Sequence, residues 1–367
     1  MKLIHCADMH LDSAMKTNLS KEQARERKHE LLNTFSRLVD YAASNDVSGI
    51  LICGDLFDVK NISALSRNTI LSLITGHPDI TFFYLKGNHD ENAFLVSNDE
   101  MPENLLLFNE NWTTYAMGDT DRIRIYGAEL TGDNSKAVQQ QFSPDPSKIN
   151  IVMLHGQESV TNPKDKTETI NIKLFKNKGI NYMALGHVHE YRRNELDPGC
   201  VYCYPGCLEG RGFDECGEHG FVLLDIDEEK GTVKDTFVPF AYRHLYEIRV
   251  DITDLNETPS IIERVRTALL MSSATDIDMV KVVLYGSVDV ECEKDLEFIR
   301  KTFERNYYFI KIYDESELKV DYESFALDES LKGEFVRQVL RADDLSDEDK
   351  GNIIRMGIQF LRGGRAE

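Results

Sequence analysis

A chain of 367 residues with 42 Lys and Arg against 63 Asp and Glu carries a formal charge of −21, and 41% of it is hydrophobic. That is too apolar for a disordered chain and long enough for two or three domains. No apolar run reaches the roughly 20 residues of a membrane-spanning helix, and the acidity argues against broad nucleic-acid binding through Lys and Arg.

The N-terminus begins like a signal peptide, but His5, Asp8 and His10 interrupt it before an apolar core forms, which predicts a soluble, cytoplasmic protein. Seven cysteines, an odd number on such a chain, read as reduced thiols. The first strand-length run covers residues 2–6 and ends in Ala7-Asp8-Met9-His10. A helix follows over residues 20–43, with Ser20 and Gln23 at capping-box spacing and Leu31, Leu32, Phe35, Leu38, Val39 and Ala42 on one face. Four more apolar runs end abruptly in polar motifs. Residues 49–53 precede Gly54-Asp55-Leu56-Phe57-Asp58, and residues 82–85 precede Gly87-Asn88-His89-Asp90. Residues 149–154 precede His155-Gly156, and residues 182–185 precede Gly186-His187-Val188-His189.

Such runs are too short for buried helices and read as buried strands. Strand, helix, strand marks an α/β sheet. Residues 122–126 and 220–224 lack long flanking helices and predict a second, more antiparallel sheet. Past about residue 239 the pattern changes to strands over 245–252, 279–285 and 307–313 and helices over 259–271 and 293–304, a small α/β domain without metal-ligand motifs. Two short helices, 331–340 and 346–361, close the chain. The second carries a surplus of apolar residues: Ile353, Ile354, Met356, Ile358, Phe360 and Leu361. The expected division is 1–240, 241–328 and 329–367.

Ligands of open α/β sheets gather beyond the carboxyl ends of the strands. Five strand ends with polar motifs therefore predict one shared site containing Asp8, His10, Asp55, Asn88, His155, His187 and His189. Two carboxylates, one amide and four imidazoles exceed the four to six ligands of one divalent ion and suit two. Asp55 is the best candidate for a bridging carboxylate. Members of the pairs Asp8/His10 and His187/His189 stand two apart, so on extended backbone both point the same way. The glycines before Asp55, Asn88 and His187 are expected to permit a sharp turn. Each motif alone is weak, since a lone His is more often packed and a lone Gly-Asp is usually a turn; their order and setting carry the prediction.

The series Asp8-x-His10, Gly54-Asp55-x-x-Asp58, Gly87-Asn88-His89-Asp90, His155 and Gly186-His187-x-His189 resembles the calcineurin-like metallophosphoesterase superfamily. Within it, residues 8–13, 54–58 and 204–215 resemble the SbcD-type DNA-repair nucleases, most of all their YhaO-like bacterial branch. The resemblance is strong over about residues 1–240 and covers the rest in outline.

It implies an α/β sandwich of two β-sheets flanked by helices, with a small α/β cap domain and C-terminal helices. It also implies two divalent ions, usually manganese, one on Asp8, His10, Asp55 and His189 and the other on Asp55, Asn88, His155 and His187. His89 would protonate the leaving oxygen or steady the transition state, with Asp90 orienting its imidazole. The implied activity is hydrolysis of DNA phosphodiesters at DNA ends, exonucleolytic and in some members endonucleolytic. The implied partner is an SMC-like ATPase (SbcC-type or YhaN-like) on the C-terminal helices, and a homodimer fits the same pattern.

Candidate DNA contacts are Lys164 and Lys166 in a lysine cluster between two ligand motifs, Arg192 and Arg193 just after His189, and Tyr204 and Arg211 of the SbcD-like stretch. The bland alternative for such charges is a solvated face. A phosphatase or small-substrate phosphodiesterase, and a non-catalytic scaffold, are the rival functions. The protein-phosphatase branch typically has Asp-Arg-Gly after Gly-Asp and Glu after Asn-His, where this chain has Asp58-Val59-Lys60 and Asp90. Cys200, Cys203, Cys207 and Cys216 invite a zinc reading, but the paired knuckles of a zinc ribbon are missing.

Overall fold

The computed structural model describes residues 1–15, 19–58, 62–90, 101–118, 120–132, 134–159, 169–289, 292–319, 328–342 and 345–361. The chain divides into two units, Met1–His244 and Leu245–Glu367.

In the first unit, β1 (Lys2–Cys6) leads through α1 (Lys21–Ser44) to β2 (Val47–Cys53), and α2 (Ala64–Gly76) leads to β3 (Thr81–Leu85) and β4 (Leu105–Leu107). Next come β5 (Thr113–Met117), β6 (Ile123–Gly127), α3 (Ser135–Gln141), β7 (Ile149–His155) and the short β8 (Gln157–Glu158) and β9 (Thr169–Ile170). The unit ends with β10 (Tyr182–Gly186), β11 (Arg192–Asp197), β12 (Cys200–Tyr204), β13 (Gly220–Asp227) and β14 (Thr232–Pro239). One six-stranded sheet has the order β14-β13-β1-β2-β3-β4, the other β11-β12-β10-β7-β6-β5.

Alternate residues of each strand serve different layers, as a two-residue side-chain period requires. Leu3, Leu51, Phe83 and Val222 of the first sheet meet Ile125, Ile151, Met153 and Tyr182 of the second in a dry layer between the sheets. Ile4, Ile50, Ile52 and Phe82 face outward onto Leu31, Phe35, Leu38 and Val39 of α1 and Ile70 and Ile74 of α2. The capping box at Ser20 forms, with the Gln23 amide and side chain both bonded back.

The second sheet is not the more antiparallel one. Residues 220–227 join the first sheet, antiparallel to β1, and among the described residues each sheet has three parallel and two antiparallel pairings. A parallel pair needs a long crossover rather than a helix in it, and residues 156–181 supply one between β7 and β10.

The second unit is described on its own. Strands β15 (Leu245–Asp251), β16 (Met279–Tyr285) and β18 (Phe309–Asp314) form a parallel three-stranded sheet, and β17 (Ser287–Asp289) pairs with β19 (Glu317–Lys319). Helices α4 (Thr258–Met271) and α5 (Leu296–Phe303) bury Ile261, Val265, Ile299 and Phe303 against Val250, Val280, Val282 and Ile310. A hairpin of α6 (Leu331–Leu340) and α7 (Asp347–Leu361) has its own small core of Val336, Ile354 and Ile358, while Ile353, Met356 and Phe360 stay exposed. Among the described residues no helix is long and apolar enough to cross a membrane.

Candidate metal centre

Strands β1, β2, β3, β7 and β10 end side by side, and the backbone leaves them under restraint. Asp8, His10, Asp55 and His187 have φ of 52°, 46°, 50° and 102°, in the left-handed region. Asp and His tolerate that region better than most residues, yet such conformations cost of order 1–3 kcal/mol each and persist where surroundings over-determine them. Here the surroundings are bonds between the strand-end loops. The Asp8 and His10 amides donate to the carbonyls of Gly54 and Asp55 at 3.1 and 2.9 Å. The His187 amide donates to both Asp8 oxygens at 3.0 and 2.9 Å, and the His89 amide to Asp55 Oδ1 at 2.9 Å.

The glycines of these motifs act differently from expectation. Of the three expected to permit a turn, Gly54, Gly87 and Gly186, only Gly54 has a positive φ. A Cβ on Gly87 would lie 2.2 Å from Asp55 Oδ1, and one on Gly186 only 1.7 Å from the Cys53 carbonyl oxygen. At these two positions glycine serves close approach rather than a turn.

The predicted ligands come together. Asp8, His10 and His189 offer ligand atoms within 4.8 Å of one another, as do Asp8, Asp55 and His155. His10 Nε2 stands 3.1 Å from His189 Nε2, and His155 Nε2 lies 3.4 Å from Asp55 Oδ2 and 3.1 Å from Asn88 Oδ1. The His187 ring packs edge-on against His155 with centroids 5.3 Å apart. Two imidazoles are aimed from behind: His155 Nδ1 donates to the Cys53 carbonyl at 2.9 Å, and His189 Nδ1 to Glu215 Oε1 at 2.7 Å. A proton fixed on Nδ1 leaves Nε2 as the ligand atom.

The electrostatics ask for a cation. Burial pushes the Asp8 carboxyl up to about 6, against the pull of His155 and His189. Burial also opposes a charge on His155, but the bond to Asp55 and the charges of Asp8 and Asp55 outweigh it and draw its pKa up to about 9. Asp55 feels burial as well, yet the same His155 contact and His10 hold it well below the usual carboxylate range. Burial and the neighbouring His155 push His187 down to about 4, leaving a neutral donor. Two buried carboxylates that recruit a proton onto a buried imidazole fit divalent cations of the oxygen- and nitrogen-binding kind. Of the four cysteines of the zinc reading, Cys200, Cys203 and Cys207 are buried and Cys216 is exposed, and no cysteine joins a metal-type cluster among the described residues.

Asp90 does not orient His89. Its buried carboxylate accepts from the amides of Leu56 and Gly87, both at 3.1 Å, and of Phe57 at 2.8 Å, tying the loop after β2 to the loop after β3. The partner of His89 is Asp58, whose Oδ1 is 3.1 Å from His89 Nδ1 and 3.4 Å from His10 Nδ1. Residues 87–90 form a turn, closed by the Asp90 amide donating to the Gly87 carbonyl at 3.3 Å, which sends the Asp90 carboxylate to the loop after β2, so proximity in sequence to His89 misled.

A sixth strand end, that of β12, also reaches the cluster. It carries Glu215, which sequence reasoning missed although Cys200–Tyr204 followed by Pro205-Gly206 repeats the pattern of the other five. Arg211 pairs with Glu215 at 2.7 Å and comes within 3.9 Å of Asp58. Burial opposes ionisation of Glu215, but His189 and Arg211 hold it well below its ordinary value.

The candidate DNA contacts fare unequally. Tyr204 is no surface contact: it is buried, its hydroxyl accepting from the Glu158 amide at 2.9 Å and donating to the Gly156 carbonyl at 3.0 Å. Arg211 lines a cleft of about 320 Å³ with Ser13, Met15, Asp58, Asp214 and Glu215. Arg192 and Arg193 are exposed, the first paired with Glu190 at 2.9 Å and the second with Asp235. Lys164 and Lys166 lie outside the described residues.

The sequence pattern that describes the calcineurin-like phosphoesterases matches residues 1–191. The chain belongs to that family. Its members are hydrolases of phosphoester bonds, and the strand-end cluster supplies the donor set for such chemistry. The chain is 25% identical to the DNA double-strand break repair protein Mre11 of Methanopyrus kandleri, over all of this chain and 83% of that protein. It is 27% identical to YhaO, an uncharacterized metallophosphoesterase of Bacillus subtilis, over 72% of this chain and 66% of that protein. Among solved structures, TT1561 of Thermus thermophilus aligns with 64% of this chain and 98% of its own at 12% identity and a TM-score of 0.39.

Proposed function

We propose that the chain is a manganese-dependent DNA phosphodiesterase that degrades DNA from its ends, with endonuclease capacity, alongside an SMC-like ATPase. The observation that carries the reading is the convergence of five strand-end motifs on one cluster with His89 at its rim. Asp8, His10, Asp55 and His189 hold one divalent ion, and Asp55, Asn88, His155 and His187 the other. Bound there, such ions supply charge neutralisation for a phosphodiester and a water of lowered pKa.

The remaining work falls to the chain. His89 has a half-exposed side chain, and its ring lies 5.2 Å from that of His10. With Nδ1 held by Asp58, its Nε2 is free to carry the proton that the leaving oxygen needs. Asp90, bonded to three backbone amides, fixes the relative position of the two loops that carry Asp55 and His89. Arg211, on the wall of the adjoining cleft, offers a guanidinium to a phosphate. The relationship to Mre11 supports DNA as the substrate, and the exposed Ile353, Met356 and Phe360 of α7 support a partner groove there.

The test is end-labelled duplex DNA incubated with manganese, beside Asp55→Ala and His89→Ala variants and a small phosphodiester. Degradation of DNA by the wild type, lost in both variants, is expected. Intact DNA under conditions where the small diester is hydrolysed moves the protein to the small-substrate phosphodiesterases. Variants that degrade DNA like the wild type remove the assigned site.

A further inference from the structure

The imidazoles of the cluster are backed in two different ways. His189 turns Nδ1 toward a carboxylate, hydrogen-bonding Glu215 at 2.7 Å, whereas His10 Nδ1 stands 3.4 Å from Asp58 Oδ1 without a hydrogen bond. His155 turns Nδ1 toward a neutral carbonyl, that of Cys53. A carboxylate behind a ligating imidazole fixes its tautomer and raises its basicity, and loss of such a partner typically costs 10–100-fold in metal affinity.

Glu215 is built into place. Its side chain accepts from the Arg211 amide at 2.8 Å and from the Arg211 guanidinium at 2.7 Å, and His219 Nε2 donates to its carbonyl at 2.8 Å. The loop that carries it is held from α1 as well. The fully buried Arg27 donates to the Gly210 carbonyl at 2.6 Å, and the buried Glu209 accepts from the Thr34 hydroxyl at 2.7 Å. Arg27 in turn pairs with Glu30, which Arg243 also grips. Buried ions in a helix otherwise packed through Leu and Phe are costly to desolvate, and anchoring this loop gives them a use.

We propose that Glu215 is a positioning residue for His189, and that it makes the cation position on His10 and His189 the tighter of the two, so that the centre fills in a fixed order. The proposal rests on the binuclear reading above.

The experiment is a calorimetric titration of the full chain with Mn2+, with the spin state followed by EPR spectroscopy. The wild type is expected to bind in two steps, with a coupled two-ion spectrum emerging only in the second. Glu215→Gln keeps the size and the acceptor oxygen but removes the charge. It is expected to weaken the first step by about 10–100-fold and leave the second unchanged. Thermal unfolding in chelator, equal in the two proteins, shows that the variant is folded. Glu215→Asp, which keeps the charge on a shorter stem, is expected to fall between them and gives the same comparison where the Gln variant does not fold. Equal first-step affinity in the wild type and a folded Glu215 variant overturns the proposal and leaves two-metal binding standing. A wild type that binds no manganese overturns the binuclear reading itself.

Discussion

Both units end parallel strands in aspartates, and the aspartates meet opposite fates. In the second unit Asp251 closes β15 and spends Oδ1 on the Thr253 amide at 2.9 Å and its hydroxyl at 2.6 Å. Asp314 closes β18, bonding the Ser316 amide and hydroxyl through Oδ1 and the Lys294 ammonium through Oδ2 at 2.7 Å. Those carboxylates make turns. In the first unit Asp8 and Asp55 lie beyond β1 and β2 on left-handed backbone, buried among imidazoles, and no Lys or Arg is paired with either among the described residues. A strand-end carboxylate that no Lys or Arg neutralises is left available to a cation. Topology provides the place, and local partners decide the use.

The sharpest way to break this comparison is to neutralise one aspartate in each unit. Asp8→Asn is expected to lower phosphodiester hydrolysis by about 1,000-fold, since several kcal/mol of charge stabilisation depend on the ions it would hold. Asp314→Asn is expected to leave hydrolysis unchanged and to cost about 1 kcal/mol in stability, the worth of its local bonds. Steady-state kinetics and denaturant unfolding of the two variants separate these outcomes. Comparable loss of activity in both would mean that strand-end acids act through fold integrity alone.

The site was legible in the sequence to the extent that chain order carries it. Five apolar runs ending in Asp, His or Asn specify strands whose ends must converge, and those ends do. What chain order cannot carry is the direction of a side chain. Asp90 follows His89 yet turns to the backbone of Leu56 and Phe57, while Asp58, 31 residues earlier, reaches the imidazole. Tyr204 sits in a stretch that resembles a DNA-contacting loop, but as the last residue of β12 it faces the core. Arg27 and Glu30 lie on the face of α1 expected to be apolar, because the loop they hold arrives from residues 209–210. The direction of strands in the second sheet failed for a similar reason: among the described residues the helical segments between its parallel strands are short, seven residues in α3 and four in the 3-10 turn Ile172–Phe175.

The exchange of Asp90 for Asp58 gives the next largest effect. If Asp58 aims His89 for proton transfer, Asp58→Asn should slow hydrolysis of a diester with an alkoxide leaving group by about 10–100-fold, within the range that general acid catalysis supplies. A p-nitrophenyl diester, whose leaving group needs no proton, should be slowed far less. Because Asp58 also lies 3.4 Å from His10 Nδ1, manganese affinity is to be measured on the same variant. Equal losses on the two substrates, with weakened metal binding, would assign Asp58 to the metal alone.

The smallest effect expected concerns backbone rather than charge, and it sharpens the contrast between a crowded strand end and an open turn. Gly186 and Gly231 both become Ala. At Gly186 the new methyl would lie 1.7 Å from the Cys53 carbonyl and 2.8 Å from His155 Nδ1, so β10 must move away from β2. At Gly231 nothing lies within 4 Å, and only the positive φ of 68° resists. Forcing a methyl into packed backbone costs roughly 1–3 kcal/mol or more, against about 1 kcal/mol for a left-handed Ala in a free turn. Chemical denaturation measures the difference, and manganese affinity should fall only in the Gly186 variant, since the same carbonyl of Cys53 aims His155. Loss of metal affinity without loss of stability would show that the strand ends can shift independently of the sandwich, and that close packing there serves the centre rather than the fold.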